Sequence, residues 1–363
     1  MIVVAKVLDK IKSALGAENP EREARRLKNL LGLVRRKKPA IAATPHVVVH
    51  RENKWSLLRY ERASKSAPTF ETPVLLVPSL INRHYVLDLA PQQSMVEDMV
   101  NRGHDVFVID WGTPGREDRY VTFDDVCDRA IGRAMRVASS FGATDKCHLL
   151  GYCLGGTLAV IHAAVRPERV ATLTALAAPV RFDDDGLLSR WVRSPGFDVN
   201  VMIDAMGLVP WQLMQPAFLM LRPTLSLWKA VQLVDKAWDD EFLDSFIAVE
   251  TWGNDNVSLP GEFYRRYIDE LYRRDALAKG EFLLSGHTAK MSAIERPVMA
   301  ITFEHDNIVP WRSAAALLDE VKSTDKVHLH QPGGHVGAVV SKKASQRLWP
   351  KLSAFWATHD DAR

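Results

Sequence analysis

Gly151-Tyr152-Cys153-Leu154-Gly155-Gly156 lies between a short apolar run, Cys147-His148-Leu149-Leu150, and a stretch of small and apolar residues over 157–165. The order reads as strand, sharp turn, helix. A turn of the form G-x-S-x-G is a nucleophile elbow, which lifts one side chain from the strand-to-helix corner above a parallel sheet. The flanking glycines let strand and helix approach closely. Here the central position is Cys153 rather than serine, and a thiol there points to acyl transfer that begins or ends at a thioester. A buried cysteine in a glycine-rich turn is the competing reading, so the rest of the chain has to decide.

Outward from the elbow, short apolar strands alternate with helical patterns. Residues 47–49 and 55–60 read as paired strands, and 74–77, 105–111, 147–150 and 171–176 as further strands. Helical spacing covers 93–102 and 123–141. This alternation predicts an α/β fold, a mostly parallel sheet covered by helices on both faces. The pattern breaks after Pro179. About a hundred residues follow with little strand signal, far beyond an ordinary connection. They are rich in large apolar side chains, among them Trp191, Met202, Trp211, Phe218 and Trp228. The strand and helix pattern resumes with a strand at 297–302, a helix at 313–322, a strand at 327–330 and a closing helix at 342–357. Four segments are therefore expected. They are a basic N-terminal helical arm (1–42), the first part of the core (43–180), a helical cap insertion (181–292) and the second part of the core (293–363). The arm has helical periodicity over 1–34, leads into Arg35-Arg36-Lys37-Lys38, and meets Pro39, which stops a helix. It reads either as a surface arm for a partner or an anionic apolar surface, or as a solvated helix packed on the main domain.

The resumed core supplies the two other groups that a thiol nucleophile needs. Asp306 follows the strand at 298–303, and His335 follows the next strand within Pro332-Gly333-Gly334-His335-Val336-Gly337. Both are expected at the carboxyl edge that carries Cys153, where open α/β sheets bind ligands. Nucleophile, acid, histidine is the chain order of the α/β-hydrolase fold. A free thiol with a pKa near ~8.5 is mostly protonated at neutral pH. An imidazole can take that proton, and a helix N-terminus stabilises the thiolate. The amide of Leu154, with a second amide at Leu80 or Ile81, would hold a tetrahedral oxyanion. Glu304 is a rival acid, and His328 and His330 alternate on a strand face.

Composition narrows the class. The 363 residues are 47% hydrophobic and 25% charged, with a net charge of +3. That is ordinary for a globular protein and makes no demand for nucleic acid. Three cysteines, Cys127, Cys147 and Cys153, give no disulfide framework and suit a reducing cytoplasm. No His/Cys/carboxylate cluster has metal-ligand spacing, and no glycine-rich nucleotide loop occurs, so neither metal nor cofactor is expected. No secretory signal or membrane-spanning run is read.

Two family resemblances attach to these residues. The string GYCLGG resembles dienelactone hydrolases, which also carry cysteine in this elbow. A longer set of segments resembles polyhydroxyalkanoate synthases, especially the class III catalytic subunit. These are VPSLINRHYVLDL (77–89), VFVIDWGTP (106–114), the elbow, MGLVPWQLMQPAFLMLRP (206–223), the stretch from Leu271 to Lys290, HDNIVPW (305–311) and PGGHVG (332–337). That resemblance implies an acyltransferase that polymerises (R)-3-hydroxyacyl-CoA with release of CoA. It implies Cys153 as the acylated nucleophile, His335 as its base, and Asp306 as the group that activates the 3-hydroxyl of the acyl unit. It also implies a cap that gates the site and contributes to a homodimer. A second synthase subunit, of the PhaE type or a class IV-like partner, and a location at cytoplasmic polyester granules follow from the same source. Two features depart from the family pattern. Asn307 stands where histidine commonly follows the aspartate, and Thr157 resembles the long single-subunit synthases. A cysteine-dependent hydrolase or thioesterase is the alternative enzyme, and a non-catalytic scaffold subunit the alternative outside catalysis.

Overall fold

The computed structural model describes residues 19–62, 69–221 and 225–360. The first 18 residues of the arm and the last two of the 206–223 segment lie outside the described residues. One sheet contains β1 (His46–Glu52), β2 (Trp55–Tyr60), β3 (Val74–Val77), β4 (Val106–Asp110), β5 (Cys147–Tyr152), β6 (Val170–Leu176), β7 (Val298–Phe303) and β8 (Lys326–Gln331). Their order is β1-β2-β4-β3-β5-β6-β7-β8. Strands β3 to β8 run parallel, while β1 pairs antiparallel with β2 and β2 with β4.

Side chains alternate between the two faces of each strand, and each face is covered. Leu75, Val77, Phe107, Ile109 and Leu149 pack into one layer. Val74, Leu76, Val106, Val108 and Leu150 pack into the other. That two-sided burial explains why these strands read as continuous apolar runs.

The helices fall into three groups. In the arm, α1 (Pro20–Gly32) is capped by the Asn19 side chain, which accepts from the amides of Glu21 and Arg22. In the first part of the core, α2 (Met95–Arg102), α3 (Ile131–Ser139) and α4 (Leu154–Val165) cover the sheet. Over 123–141 the expected helix is present, but Asp125–Ala130 forms a wider π turn before α3. The long insertion is built from α5 (Leu187–Val192), α6 (Val199–Met206), α7 (Trp211–Met220), α8 (Leu225–Lys236), α9 (Asp240–Gly253) and α10 (Gly261–Arg266). After β7 come α11 (Trp311–Ala315) and α12 (Leu317–Glu320), and after β8 come α13 (Lys342–Arg347) and α14 (Trp349–Thr358). The helices expected at 313–322 and 342–357 are thus each split in two. In the second case Pro350, in the first turn of α14, removes a donor and crowds the preceding turn.

The described part of the arm packs against the insertion. Asp240 at the start of α9 pairs with Arg25 and, at 2.8 Å, with Arg36, which also reaches Asp244 at 2.8 Å. Asn29 donates to the Ala237 carbonyl at 2.8 Å, and Arg22 lies 4.3 Å from the Trp238 ring centre.

Candidate active site

The sheet register brings the site together. Tyr152 pairs with Leu176, Leu176 with Ile301, and Phe303 with Gln331. The carboxyl ends of β5, β7 and β8 therefore lie along one edge, and Cys153, Asp306 and His335 follow them within four residues. Strand β3 has β4 on one side and β5 on the other, so the loops after β3 and β5 diverge at a switch point that opens a crevice.

Cys153 adopts φ 55° and ψ −127°, a conformation that few non-glycine residues take. Its amide donates to the Leu176 carbonyl at 2.9 Å, which anchors the corner to β6. The elbow glycines are required by contact. A Cβ on Gly155 would lie 2.1 Å from the Val77 carbonyl oxygen, and one on Gly151 would lie 2.3 Å from the Gly156 Cα. Only a chain without side chains at these points lets α4 start directly above β3 and β5. Leu154 is the first residue of α4, so its N–H has no intrahelical acceptor and stays available. In the loop after β3, the Ile81 amide donates to Ser79 Oγ at 3.3 Å. Ile81 lines the cavity that holds Cys153, whereas Leu80 lines a separate cavity with Trp55 and Trp111.

His335 is buried, and its Nδ1 lies 2.7 Å from Asp306 Oδ2. The other carboxylate oxygen accepts from the amides of Ile308 at 2.9 Å and Val309 at 2.8 Å. The Asp306 side chain is only 1% exposed, and both of its oxygens are committed. Burial works against a charged imidazole. The Cys153 sulfur and the Asp306 carboxylate, through charge and hydrogen bonds, outweigh it and raise His335 to about 10. The geometry suits a thiol proton passing to the imidazole, with the resulting charge held by Asp306.

The rival groups lie elsewhere. Glu304 and His305 are exposed, and their backbone amides bond to Gln331 and Gly333 across the strand end. His328 and His330 both meet Thr302 Oγ1, at 2.9 and 2.8 Å, on the outer strands. Asn307 is exposed and donates to the His305 carbonyl. Cys127 and Cys147 are fully buried. Burial pushes Cys147 up to about 12 and Cys127 well above the ordinary thiol value, while Cys153 is partly exposed. Arg83, by contrast, lines the same cavity as Cys153, tied to Asp255 at 3.1 Å and to Thr113 Oγ1 at 2.9 Å. His84 pairs with Asp110 at 3.1 Å.

Tyr152 is a site residue that the sequence did not flag. Its ring stacks on His335 with centres 5.3 Å apart, and its hydroxyl donates to the His335 carbonyl at 3.3 Å. A tyrosine ahead of the nucleophile was visible in the elbow, but the motif carries no signal that it meets the histidine.

Cys153 and His335 open into a cavity of about 570 Å³. Its remaining walls come from the loop after β3 and from α7, α8 and α9. Its lining includes the apolar Phe218, Phe246 and Trp252, the amides of Asn82, Gln215, Asn254 and Asn256, and the charged Arg83, Lys229 and Glu250. Among the described residues no three His, Cys, Asp or Glu side chains form a metal-binding group.

Residues 72–340 match the alpha/beta hydrolase fold family, and residues 38–99 match the N-terminal region of poly-beta-hydroxybutyrate polymerase (PhaC). The chain is 34% identical to the poly(3-hydroxyalkanoate) polymerase subunit PhaC of Haloferax mediterranei, over 89% of this chain and 65% of that one. It is 33% identical to the subunit of the same name from Allochromatium vinosum, over 85% of this chain and 87% of that one. Among solved structures, a soluble variant of monoglyceride lipase from Saccharomyces cerevisiae superposes with a TM-score of 0.55 at 13% identity, covering 90% of this chain and all of that one, a likeness of fold alone. The chain has the α/β-hydrolase fold and belongs to the poly(3-hydroxyalkanoate) polymerase subunit PhaC family.

Proposed function

We propose that this chain polymerises (R)-3-hydroxyacyl-CoA into polyester with release of CoA, using Cys153 as the acyl carrier. The observation that carries this reading is the strained elbow cysteine facing an imidazole bonded to a buried carboxylate, in a chain of this family. The Cys153 thiol gives its proton to His335, and the sulfur attacks the thioester carbonyl. The oxyanion is held by the Leu154 amide, and by Leu80 rather than Ile81 because the Ile81 amide already donates to Ser79. The carbon–sulfur bond to CoA breaks, and the leaving CoA sulfur takes the proton back from His335. The 3-hydroxyl of another acyl unit then attacks the Cys153 thioester and loses its proton to His335. The new ester bond forms as the acyl–sulfur bond breaks, and the released Cys153 sulfur takes that proton from His335. The family resemblance gives Asp306 the hydroxyl activation directly. Its burial and its three hydrogen bonds favour His335 for that step, with Asp306 holding the imidazole and its charge.

The acyl-CoA is a substrate, and the scheme needs no cofactor. The word "subunit" in the relatives' names supports a second synthase subunit. Exposed apolar side chains on α7 and α8, including Leu213, Leu219, Met220 and Leu227, support a homodimer formed through the cap or contact with a polymer granule. No helix among the described residues is long and apolar enough to cross a membrane. The test is purified protein with 3-hydroxybutyryl-CoA, with and without a partner subunit. CoA release together with insoluble polyester is expected. CoA release with only free 3-hydroxybutyrate would mean a thioesterase and would overturn the polymerase reading. Full activity in Cys153→Ala would overturn the acyl-carrier role.

A further inference from the structure

A second chamber, of about 120 Å³, lies behind Ile81 and Phe218, two residues that also wall the Cys153 cavity. Its lining includes the buried side chains of Val209, Met214 and Ile268 and also Ala217. No charged side chain stands among its described lining residues. Tyr267 and Tyr272 also line it, and their hydroxyls lie 3.5 Å from each other. Burial raises both tyrosines. An apolar void is a cost to the folded state, so a chamber kept open beside a nucleophile calls for an occupant.

We infer that this chamber receives the alkyl branch at C3 of the acyl group carried on Cys153, and so sets the chain length that the site accepts. The inference rests on the acyl-transfer reading above. Ile81 and Phe218 wall both spaces, so the chamber adjoins the cavity into which an acyl group on Cys153 extends. The main cavity carries amide and charged side chains suited to the polar arm of a CoA thioester, whereas the second chamber carries no charged one and its polar side-chain groups are tyrosine hydroxyls. Its volume holds roughly four groups at the ~30 Å³ that a water-sized group occupies in a liquid. That admits a methyl to propyl branch and excludes a much longer one. Phe218, shared by both spaces, is the partition.

The test compares 3-hydroxybutyryl-, 3-hydroxyhexanoyl- and 3-hydroxyoctanoyl-CoA. Ala217→Leu should fill the chamber and lower the hexanoyl-to-butyryl ratio of kcat/KM at least tenfold. Phe218→Ala should merge the two spaces and raise the octanoyl-to-butyryl ratio. Ratios unchanged in both variants, or parallel losses on all thioesters, would overturn the inference. Equilibrium binding to Cys153→Ala reports the chamber without turnover. There, two added methylenes should tighten binding roughly fifteenfold, and Ala217→Leu in the same background should abolish the gain. Equal binding of butyryl and hexanoyl thioesters would again overturn it. The wider reading fails separately, if the wild-type chain forms no polymer while chain-length-dependent binding persists.

Discussion

The Cys153 sulfur differs from the other two thiols by where the backbone holds it. Cys127 and Cys147 have no exposed surface and are pushed toward the neutral thiol, whereas Cys153 is partly exposed beside an imidazole. Brief treatment of the native protein with iodoacetamide should therefore label one thiol. Peptide mapping should find it at Cys153, and Cys153→Ala should take up no label and form no acyl-enzyme. Labelling at Cys127 that kills activity would displace the assignment. His335 makes a second claim. Its proton is held up to about 10 in the folded chain, against ~6.5 for an ordinary histidine. A raised folded pKa contributes stability that is fully present below ~6.5 and is lost as pH climbs toward 10. Asp306→Asn keeps an oxygen for the Ile308 and Val309 amides but removes the charge that faces the imidazole. Its melting temperature should fall less than that of wild type between pH 6.5 and 10, and its kcat should drop by about 10²–10⁴. Equal pH slopes for the two proteins would refute the coupling. Cys153, Asp306 and His335 were legible in sequence because chain order and strand ends are local signals. Tyr152 was not, because its meeting with His335 spans 183 residues and depends on packing.

At the scale of elements, the elbow was legible for a steric reason that the structure makes explicit. Glycines at 151, 155 and 156 mark where two backbones touch, and a methyl on Gly155 would stand 2.1 Å from a carbonyl oxygen of β3. Gly155→Ala should destabilise the fold by more than about 3 kcal/mol in urea titration, beyond the usual range for a single substitution. A loss under 1 kcal/mol would show that α4 can shift away from β3. Helix ends were less legible. The expected helices at 313–322 and 342–357 break internally because capping and packing, rather than periodicity, set where each one stops. The arm could be read as free or as docked, since a basic amphipathic segment carries no record of its partner. Its described part docks, with Arg25, Asn29 and Arg36 gathered on Asp240 at the start of α9, the helix whose far end walls the cavity. Asp240 is held down to about 2 by hydrogen bonds to Arg25 and Arg36, but it stands 41% exposed. Surface pairs of this kind contribute about 1 kcal/mol or less. Asp240→Ala should therefore hardly move the melting temperature, yet trypsin should cut at Arg35 or Arg36 severalfold faster. An unchanged cleavage rate would mean that contacts other than these ion pairs hold the arm.

For the whole molecule, the parallel register converts distance along the chain into proximity. Asp306 and His335 lie more than 150 positions past Cys153, with the entire insertion between them, yet β5 and β7 flank β6 and their ends align. The sheet could be read ahead of the structure because strands buried on both faces are uniformly apolar. The insertion could be recognised but not folded on paper, because its aromatic and methionine residues serve three surfaces at once. Some close the core, some wall the cavity, and some face outward. The outward set yields the last prediction. On α7 Met220 is 59% exposed, and on α8 Leu227 is 47% exposed. Apolar side chains grouped on neighbouring helices mark an association surface more often than a solvated one. If two copies meet there, Met220→Glu combined with Leu227→Glu should shift the sedimentation mass from dimer to monomer. The melting temperature should stay nearly constant, because neither side chain is buried within one chain. An unchanged dimer would move the association surface elsewhere. A wild-type monomer that coats polyester particles, with the double variant failing to adsorb, would instead assign the same face to the polymer.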